Sequence, residues 1–388
     1  MAKSIIFGYT MLDSLAIKNF RNLKDLTIPS LGKVNLITGK NNTGKSAILE
    51  AIAIYASRAD MGVILQQLED RGEYYNDGES KGDLTEILIR SFSSLFNNRF
   101  IGFDSKDAIL IGPIQFPLLE NRVFEDIPVS LRFRKYIDES NADAQGNVIF
   151  RGRIPVEEYS LGTFKSDAKI GLEIAVGFES FILPLDKKVS LYNVSRNRIY
   201  EGNFQFVKTG SLDREFNGRL FDKITLTEKE RYVINALKFI EPFTDRIAFV
   251  EEVKGKRTAV IKLTGSVAIL PLRSMGDGIN RIFTIILAMV NAEGGYLLID
   301  EFENGLHYTV QEQLWSIIFK LAQELNIQVF ATTHSEDCIA AFSRVLNTPN
   351  QTLQGKLIRL DNVNGTIQQV EYNAEELKIA TDQNIETR

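Results

Sequence analysis

Residues 39–46 read GKNNTGKS, an octapeptide that satisfies the pattern G-x-x-x-x-G-K-[ST] in full. Glycines in this pattern let successive backbone N–H groups turn inward and cradle phosphate oxygens. Lys45 is then expected to reach the β- and γ-phosphates of a bound nucleotide, and the Ser46 hydroxyl to contact Mg²⁺. The residues predicted to contact the nucleotide here are Gly39, Asn41, Asn42, Thr43, Gly44, Lys45 and Ser46.

The segments that flank this loop predict the strand and helix that the pattern requires. Residues 33–37 (KVNLI) are rich in β-forming residues, and residues 46–55 (SAILEAIAIY) form an apolar helical stretch. The phosphates would then lie at a helix N-terminus, where the helix dipole favours anions. The alternative is an accidental match in a glycine-containing loop, and the flanking elements disfavour it.

A second segment supplies carboxylates. Residues 295–301 (GYLLIDE) are apolar until two acids close the run, which is typical of a buried strand. Ligands of open α/β sheets bind outside the carboxyl ends of the strands. We therefore expect Asp300 to be the carboxylate on the Mg²⁺ side and Glu301 to be the general base for the attacking water. The alternative is a strand that simply ends in solvated acids.

The two histidines of the chain each lie shortly after one of two predicted strands. His334 follows residues 328–331 (QVFA) and two threonines, and His307 lies shortly after residues 295–301. A histidine at the end of such a strand can sense a γ-phosphate or hold a water molecule. A structural role remains the alternative for both.

Residues 274–278 (SMGDG) precede the apolar helical run at residues 279–289. They combine a small hydroxyl, two glycines and a helix N-terminus, which together can bind an anion. An ordinary glycine-rich helix cap is the alternative, and in isolation this segment favours it.

Taken in order, these motifs resemble the ATP-binding-cassette superfamily, and specifically its non-transporter branch. That branch includes RecF, the heads of structural-maintenance-of-chromosomes (SMC) proteins and the OLD-like (overcoming-lysogenization-defect) ATPases. The strings IDEFENGLH and VFATTHS are most similar to the stand-alone OLD-like ATP-binding proteins of bacteria. The opening string LAIKNFRNLKDLTI also resembles that group.

The resemblance implies roles for the predicted site residues. The loop at 39–46 would be Walker A, Asp300 and Glu301 would be Walker B, and His334 would be the switch histidine. Asn304 and His307 would belong to the D-loop. Ser274, Gly276 and Gly278 would form a signature segment that caps the ATP of a second subunit, although Met275 and Asp277 depart from the common transporter form.

Three further expectations follow from the resemblance. A homodimer or higher oligomer would form around two sandwiched ATP molecules. Arg21, in the string NFRN, would approach the phosphates, with an exposed strand-end arginine as the alternative. The Q-loop glutamine stays unassigned, and Gln115 is one candidate among several.

The predicted fold class is α/β, an ABC-type ATPase head built on a P-loop NTPase sheet with helices. Residues 1–60 and 264–388 would form the ATP-binding core, and residues 61–263 would form an inserted lobe that is first helical and then rich in strands. The insert carries no long heptad pattern, so it is not predicted to be a coiled-coil arm. We expect no Toprim nuclease domain in residues 336–388.

Composition limits the possible cellular location and binding partners of the protein. The chain has 388 residues, a net charge of −5 and one cysteine, which excludes an internal disulfide. No apolar run is long enough to span a bilayer and no signal-peptide pattern opens the chain, so we expect a cytoplasmic protein. The acidic balance does not indicate DNA binding. Local basic clusters leave DNA possible: Arg132, Arg134 and Lys135; Arg151 and Arg153; Lys187 and Lys188; Lys254, Lys256 and Arg257.

These observations favour an ATP-hydrolysing, dimerising switch. The resemblance implies a role in bacterial antiphage defence with a separately encoded effector such as a nuclease. The alternative is a RecF-like ATPase that binds DNA directly in repair or genome maintenance. A module that holds nucleotide without hydrolysing it is disfavoured, because the pair Asp300 and Glu301 is complete.

Overall fold

The computed structural model describes residues 11–74, 83–114, 128–142, 148–156, 168–177, 179–186, 203–209, 214–253, 256–349 and 353–388. Within these ranges the chain forms a mixed α/β structure. The helices are α1 (Lys45–Ala56), α2 (Met61–Asp70), α3 (Leu84–Ser93), α4 (Arg214–Ile224), α5 (Lys229–Lys238), α6 (Asp277–Asn291), α7 (Tyr308–Glu324), α8 (Glu336–Leu346) and α9 (Ala374–Asp382).

The described strands form three sheets. They are β1 (Leu15–Phe20), β2 (Leu23–Ile28), β3 (Val34–Gly39), β4 (Ile109–Gly112), β5 (Val129–Ala142), β6 (Val148–Pro155), β7 (Lys169–Val176), β8 (Glu179–Pro184), β9 (Phe204–Val207), β10 (Thr244–Val253), β11 (Lys256–Leu263), β12 (Ile269–Pro271), β13 (Tyr296–Ile299), β14 (Gln328–Thr332), β15 (Gly355–Val363) and β16 (Thr366–Tyr372).

The central sheet has the order β16-β15-β3-β14-β13-β9. Its strands run parallel from β15 to β9, and β16 is an antiparallel edge strand. Every residue of β3, β13 and β14 is buried. Parallel strands covered on both faces read as continuous apolar runs, and the sequence shows that pattern. The parallel order brings the ends of β3, β14 and β13 to one edge.

The second sheet is antiparallel, with the order β2-β1-β4-β5-β7-β8 and with β6 paired to β5. Along β5 the side chains of Val129, Leu131 and Phe133 are buried. Arg132 and Arg134, which alternate with them, are less buried. This alternation is expected where one face of a sheet covers a core.

Helix α1 lies between the two sheets. It contacts β1 and β4 on one side and β3, β13 and β14 on the other. All residues of 47–56 are buried, which explains why the helix is apolar around its whole circumference. The other face of the central sheet packs against α6, α7 and α8. In that second core the rings of Phe302 and Trp315 stack with centroids 3.9 Å apart.

Cys338 lies in this second core on α8. It is fully buried, and burial raises the pKa of its thiol. The thiol therefore stays protonated and behaves as a small packed apolar group.

Strand pairing crosses both of the predicted domain boundaries. β1 pairs with β4, so the first residues of the chain and the predicted insert share one sheet. β9 also lies inside the predicted insert, yet it pairs with β13 in the central sheet. The third sheet has the order β10-β11-β12 and spans the boundary at 263/264. The division into core and insert stays a proposal.

None of the helices in the described ranges is long and apolar enough to cross a membrane.

Candidate functional site

The predicted phosphate-binding loop connects the end of β3 to the start of α1, with Gly44 at the helix cap. Gly39 has φ +143° and Gly44 has φ +91°, values that L-residues rarely adopt. A Cβ at Gly39 would lie 2.5 Å from the Leu360 carbonyl oxygen, and one at Gly44 would lie 2.7 Å from Leu23 Cδ2. Both conformation and space therefore require glycine at these two positions.

Lys45 lies at the first turn of α1. Its Nζ donates to the carbonyl oxygens of Gly39, at 2.7 Å, and Lys40, at 3.0 Å. Burial lowers the pKa of the Lys45 ammonium, while the carboxylates of Asp300 and Glu301 raise it. The amine is thus held inside the loop and faces the acids at the end of β13.

Ser46 and Asp300 meet across the cleft. The Ser46 hydroxyl lies 3.1 and 3.2 Å from the two carboxylate oxygens of Asp300. A hydroxyl and a single carboxylate are the hard oxygen donors that Mg²⁺ takes alongside nucleotide phosphates. The described residues contain no cluster of three or more acidic, histidine or cysteine side chains that could hold a metal without a substrate. This donor set fits Mg²⁺.

Thr332, at the end of β14, was not among the predicted site residues. Its hydroxyl donates to Asp300 Oδ1 at 2.7 Å and accepts from the Glu301 backbone N–H at 2.9 Å. Glu301 has φ +48°, a conformation that non-glycine residues seldom adopt. Strained backbone of this kind persists where the surroundings over-determine it, often at functional sites. The sequence signal was the position of Thr332 directly after a buried strand.

We predict that Thr332→Val, which keeps the side-chain shape, will lower ATP turnover by about tenfold. The substitution removes the hydrogen bonds that orient Asp300 and anchor the strained peptide of Glu301. Turnover at saturating ATP is the measurement. Thr244→Val is the matched control, because Thr244 is also buried and its hydroxyl also donates a hydrogen bond, in this case to the Glu241 backbone carbonyl away from the cleft. Equal turnover for the two variants would contradict the role of Thr332.

His334 lies just beyond β14 at the mouth of the same cleft. Its backbone N–H donates to Glu303 Oε1 at 3.0 Å, and its Nε2 lies 3.6 Å from the same oxygen. The Thr333 hydroxyl donates to the other oxygen of Glu303 at 2.8 Å. Glu303 therefore ties the loop after β14 to the loop after β13, a contact that the sequence analysis did not predict.

Arg281 was also missed. It lies on α6 with only 2% of its surface exposed. One guanidinium nitrogen donates to the Lys208 carbonyl at 2.9 Å, and another donates to the carbonyls of Asp300, at 2.8 Å, and Glu301, at 3.2 Å. Burial lowers the pKa of the Arg281 guanidinium, while Asp300 and Glu301 raise it. The available signal was a lone charge inside the apolar run at residues 279–289.

Arg21 lies in the turn between β1 and β2. It is 8% exposed, so the alternative of an exposed arginine is wrong. Its guanidinium contacts Glu50 and Glu73, at 2.6 Å each, and Glu50 also contacts Arg71 at 2.8 Å. This network lies along one wall of the cleft. The approach of Arg21 to phosphates stays a prediction.

The cleft itself has a volume of about 840 Å³, within the range of small-molecule sites. The predicted site residues that line it are Arg21, Asn41, Asn42, Thr43, Gly44, Lys45, Ser46, Asp300, Glu301 and His334. Three loops from separate parts of the chain thus converge at the carboxyl edge of the central sheet. Open α/β sheets generally bind their ligands at this edge.

The predicted signature residues do not line this cleft. Ser274 lies in a short 3₁₀ turn and donates to the Pro271 carbonyl at 2.7 Å. Gly276 has φ +102° and caps α6. A Cβ at Gly278 would lie 3.3 Å from the Gly305 carbonyl oxygen, so the signature segment lies beside the predicted D-loop.

The predicted D-loop residues have local structural roles. The Asn304 amide donates to the Thr209 carbonyl at 2.9 Å. His307 caps α7, and its Nδ1 lies 2.9 Å from the Thr309 hydroxyl. Their predicted D-loop function stays a prediction. Gln115 lies outside the described residues.

A family model described as an AAA ATPase domain matches residues 11–111 and 200–339, more than half of the chain. The chain belongs to this AAA ATPase domain family. The matched ranges contain all three loops of the cleft, so nucleotide binding and ATP hydrolysis are the activities of the family at this site.

One relative extends the comparison over most of the chain. An "ATP/GTP phosphatase" of Helicobacter pylori is 24% identical over 380 residues, covering 90% of this chain and 92% of that protein. An uncharacterised protein of Methanocaldococcus jannaschii is 49% identical over 47 residues, covering 12% of this chain and 22% of that protein.

Among solved structures, an SMC head bound to the C-winged helix domain of ScpA matches with a TM-score of 0.50 and 12% identity. The match covers 94% of this chain and 98% of that chain, and it shows the fold alone. The predicted resemblance to ABC-type, RecF- and OLD-like ATPases is confirmed, and so is the α/β head fold. The absence of a Toprim domain stays a prediction.

Proposed function

We propose that this protein hydrolyses ATP in the cleft and uses ATP binding and hydrolysis as a dimerising switch. The observation that carries the proposal is the convergence of Ser46, Asp300, Thr332 and Glu301 around the phosphate-binding loop. This arrangement contains a phosphate cradle, a metal-side carboxylate and a positioned candidate base.

Each residue would contribute a separate part of the chemistry. Lys45 would leave its loop carbonyls and contact the β- and γ-phosphates. Ser46 and Asp300 would hold Mg²⁺, which when bound neutralises phosphate charge. Glu301 would accept a proton from the attacking water. The hydrogen bond from its backbone N–H to the Thr332 hydroxyl would keep it in position. His334 would hold that water or contact the γ-phosphate.

Dimerisation is supported by where the signature segment lies. Ser274, Gly276 and Gly278 are outside the cleft of their own subunit, so they could cap a nucleotide only in a second copy. Ser274 is exposed and available for such a contact. ATP would then clamp two heads together, and hydrolysis would release them.

A protein effector is favoured over DNA as the output. Within the described ranges, arginines of the predicted basic clusters contact acids: Arg132 and Arg134 contact Glu173, Arg153 contacts Asp138, and Arg257 contacts Asp222 at 2.6 Å. Cations paired in this way contribute less to phosphate neutralisation. We propose an effector such as a nuclease, in bacterial defence, and the ScpA-bound SMC head offers a precedent for partner binding on this fold.

We predict that Ser274→Arg will lower ATP turnover by about tenfold or more while leaving ATP binding to the monomer unchanged. A long charged side chain would block the approach of the second subunit. Phosphate release, ATP affinity and solution mass with ATP are the measurements. Ser266→Arg is the control, because it adds the same charge in the turn between β11 and β12.

Three outcomes separate the alternatives. Loss of turnover and of an ATP-dependent dimer in Ser274→Arg alone supports the switch. Equal turnover and equal solution mass for the two variants would contradict a dimer in which Ser274 faces the second ATP. Stimulation of the unmodified protein by duplex DNA would transfer support to the RecF-like alternative.

A further inference from the structure

Residues 383–388 follow α9 and run over the carboxyl edge of the central sheet. We name this segment the strap. The Arg359 guanidinium on β15 donates to the Glu386 carbonyl at 2.6 Å. The Glu386 carboxylate lies 3.3 Å from Lys40 Nζ, in the loop after β3. Arg388 reaches the loop after β14. The contacts therefore follow the sheet order β15, β3, β14 toward the cleft.

The strap is held by its backbone and by one buried side chain. Thr387 is 7% exposed, between two largely exposed neighbours. Arg359 is braced by Asp361 at 2.9 Å, so it presents a fixed donor to the strap. The side chains of Lys40 and Glu386 are both exposed, and an exposed ion pair contributes little stabilising free energy. The path of the strap is consequently set by Thr387 and Arg359.

Arg388 contacts the loop that carries His334. One guanidinium nitrogen lies 3.4 Å from the His334 carbonyl oxygen, and Nε lies 3.2 Å from Glu336 Oε1. The His334 N–H is held by Glu303 on the other side. The main chain of His334 is thus contacted on both sides, by Glu303 at the N–H and by Arg388 at the carbonyl oxygen.

The side chain of His334 needs such a support, because half of it is exposed. An imidazole with this freedom lies at a useful distance from the reacting atoms only if its backbone is fixed. The fork geometry of a guanidinium allows Arg388 to bridge the His334 carbonyl and Glu336 at once, which a lysine could not do equally well.

We propose that Arg388 is a positioning residue for His334, and that the contacts of Thr387 and Arg359 keep the strap in place beside the His334 loop. The proposal rests on the ATPase function proposed above. It assigns to Arg388 an effect on the chemical step through His334, with no contact to the nucleotide.

The test is steady-state ATP hydrolysis by Arg388→Ala and Arg388→Lys. We expect Arg388→Ala to lower kcat by about tenfold and to change KM by less than about twofold, because ground-state ATP contacts are retained. Arg388→Lys should fall between wild type and Arg388→Ala. Arg344→Ala is the matched control, since Arg344 is a similarly exposed arginine paired with Glu312 at 2.7 Å.

A double-mutant cycle with His334→Ala separates positioning from general support. If Arg388 acts through His334, Arg388→Ala should not lower kcat further when His334 is already replaced by alanine. A full additional loss there would overturn the proposal, as would turnover of Arg388→Ala equal to that of Arg344→Ala. Failure of the ATPase function itself would look different: wild type would release no phosphate, whatever residue stands at 388.

Discussion

Replacing Glu301 by glutamine should lower ATP turnover at least about 100-fold while ATP binding is retained, because a general base contributes about 10² to 10⁴ in rate. Glutamine keeps the shape of the side chain but cannot accept the proton of the attacking water. The neighbouring Asp300 and Ser46 are untouched, so the metal-side contacts should persist. Because hydrolysis would no longer release the subunits, the ATP-bound variant should accumulate as a dimer or a larger assembly.

Phosphate release and solution mass with ATP, ADP and no nucleotide measure both effects. Glu324→Gln is the control, since Glu324 is an exposed acid at the end of α7. If Glu301→Gln hydrolyses ATP like wild type and ATP leaves its mass unchanged, the assignment of this site is wrong.

Arg281→Met should destabilise the protein by about 3–5 kcal/mol and abolish turnover. Methionine fills a similar volume but donates no hydrogen bonds, so the carbonyls of Lys208, Asp300 and Glu301 would lose a charged donor. The peptide that carries Asp300 and Glu301 would then be free to rotate away from the cleft.

Urea unfolding and ATP turnover test this expectation. Arg231→Met is the comparison, because Arg231 lies on the exposed face of α5 and pairs with the exposed Glu228. Surface changes of that kind should stay within about 0.5 kcal/mol. A loss for Arg281→Met no larger than that of Arg231→Met would show that the guanidinium does not hold the end of β13.

Much of the cleft could be predicted from the sequence because its chemistry is local. The turn between β3 and α1 requires positive φ angles at positions 39 and 44, and the glycines at these positions therefore indicate the turn directly. The strands β13 and β14 are short continuous apolar runs, and their polar ends had to meet at one edge of a parallel sheet. The resemblance added the roles of the signature segment and of the D-loop.

The supporting contacts could not be predicted, because they join segments far apart in the chain. The Thr332 hydroxyl contacts Asp300 and the Glu301 N–H, which lie 32 and 31 positions away in the chain. Arg281 donates to the carbonyls of Lys208 and Asp300, which lie 73 and 19 positions away in the chain. The two-lobe division was predicted from the positions of the motifs and from local helix and strand patterns, which carry no information on which strands share a sheet.

The sequence by itself determined the phosphate loop, the acidic strand end and the ATPase family, since each depends on residue types at fixed spacing. The tertiary structure alone decided how those residues are held: α1 lies between two sheets, Arg281 donates to the Glu301 carbonyl, and residues 383–388 contact the end of the central sheet through Arg359. The reason is physical. Backbone conformation is encoded within a few residues, whereas hydrogen bonds across a sheet edge depend on which strands become neighbours when the core is buried.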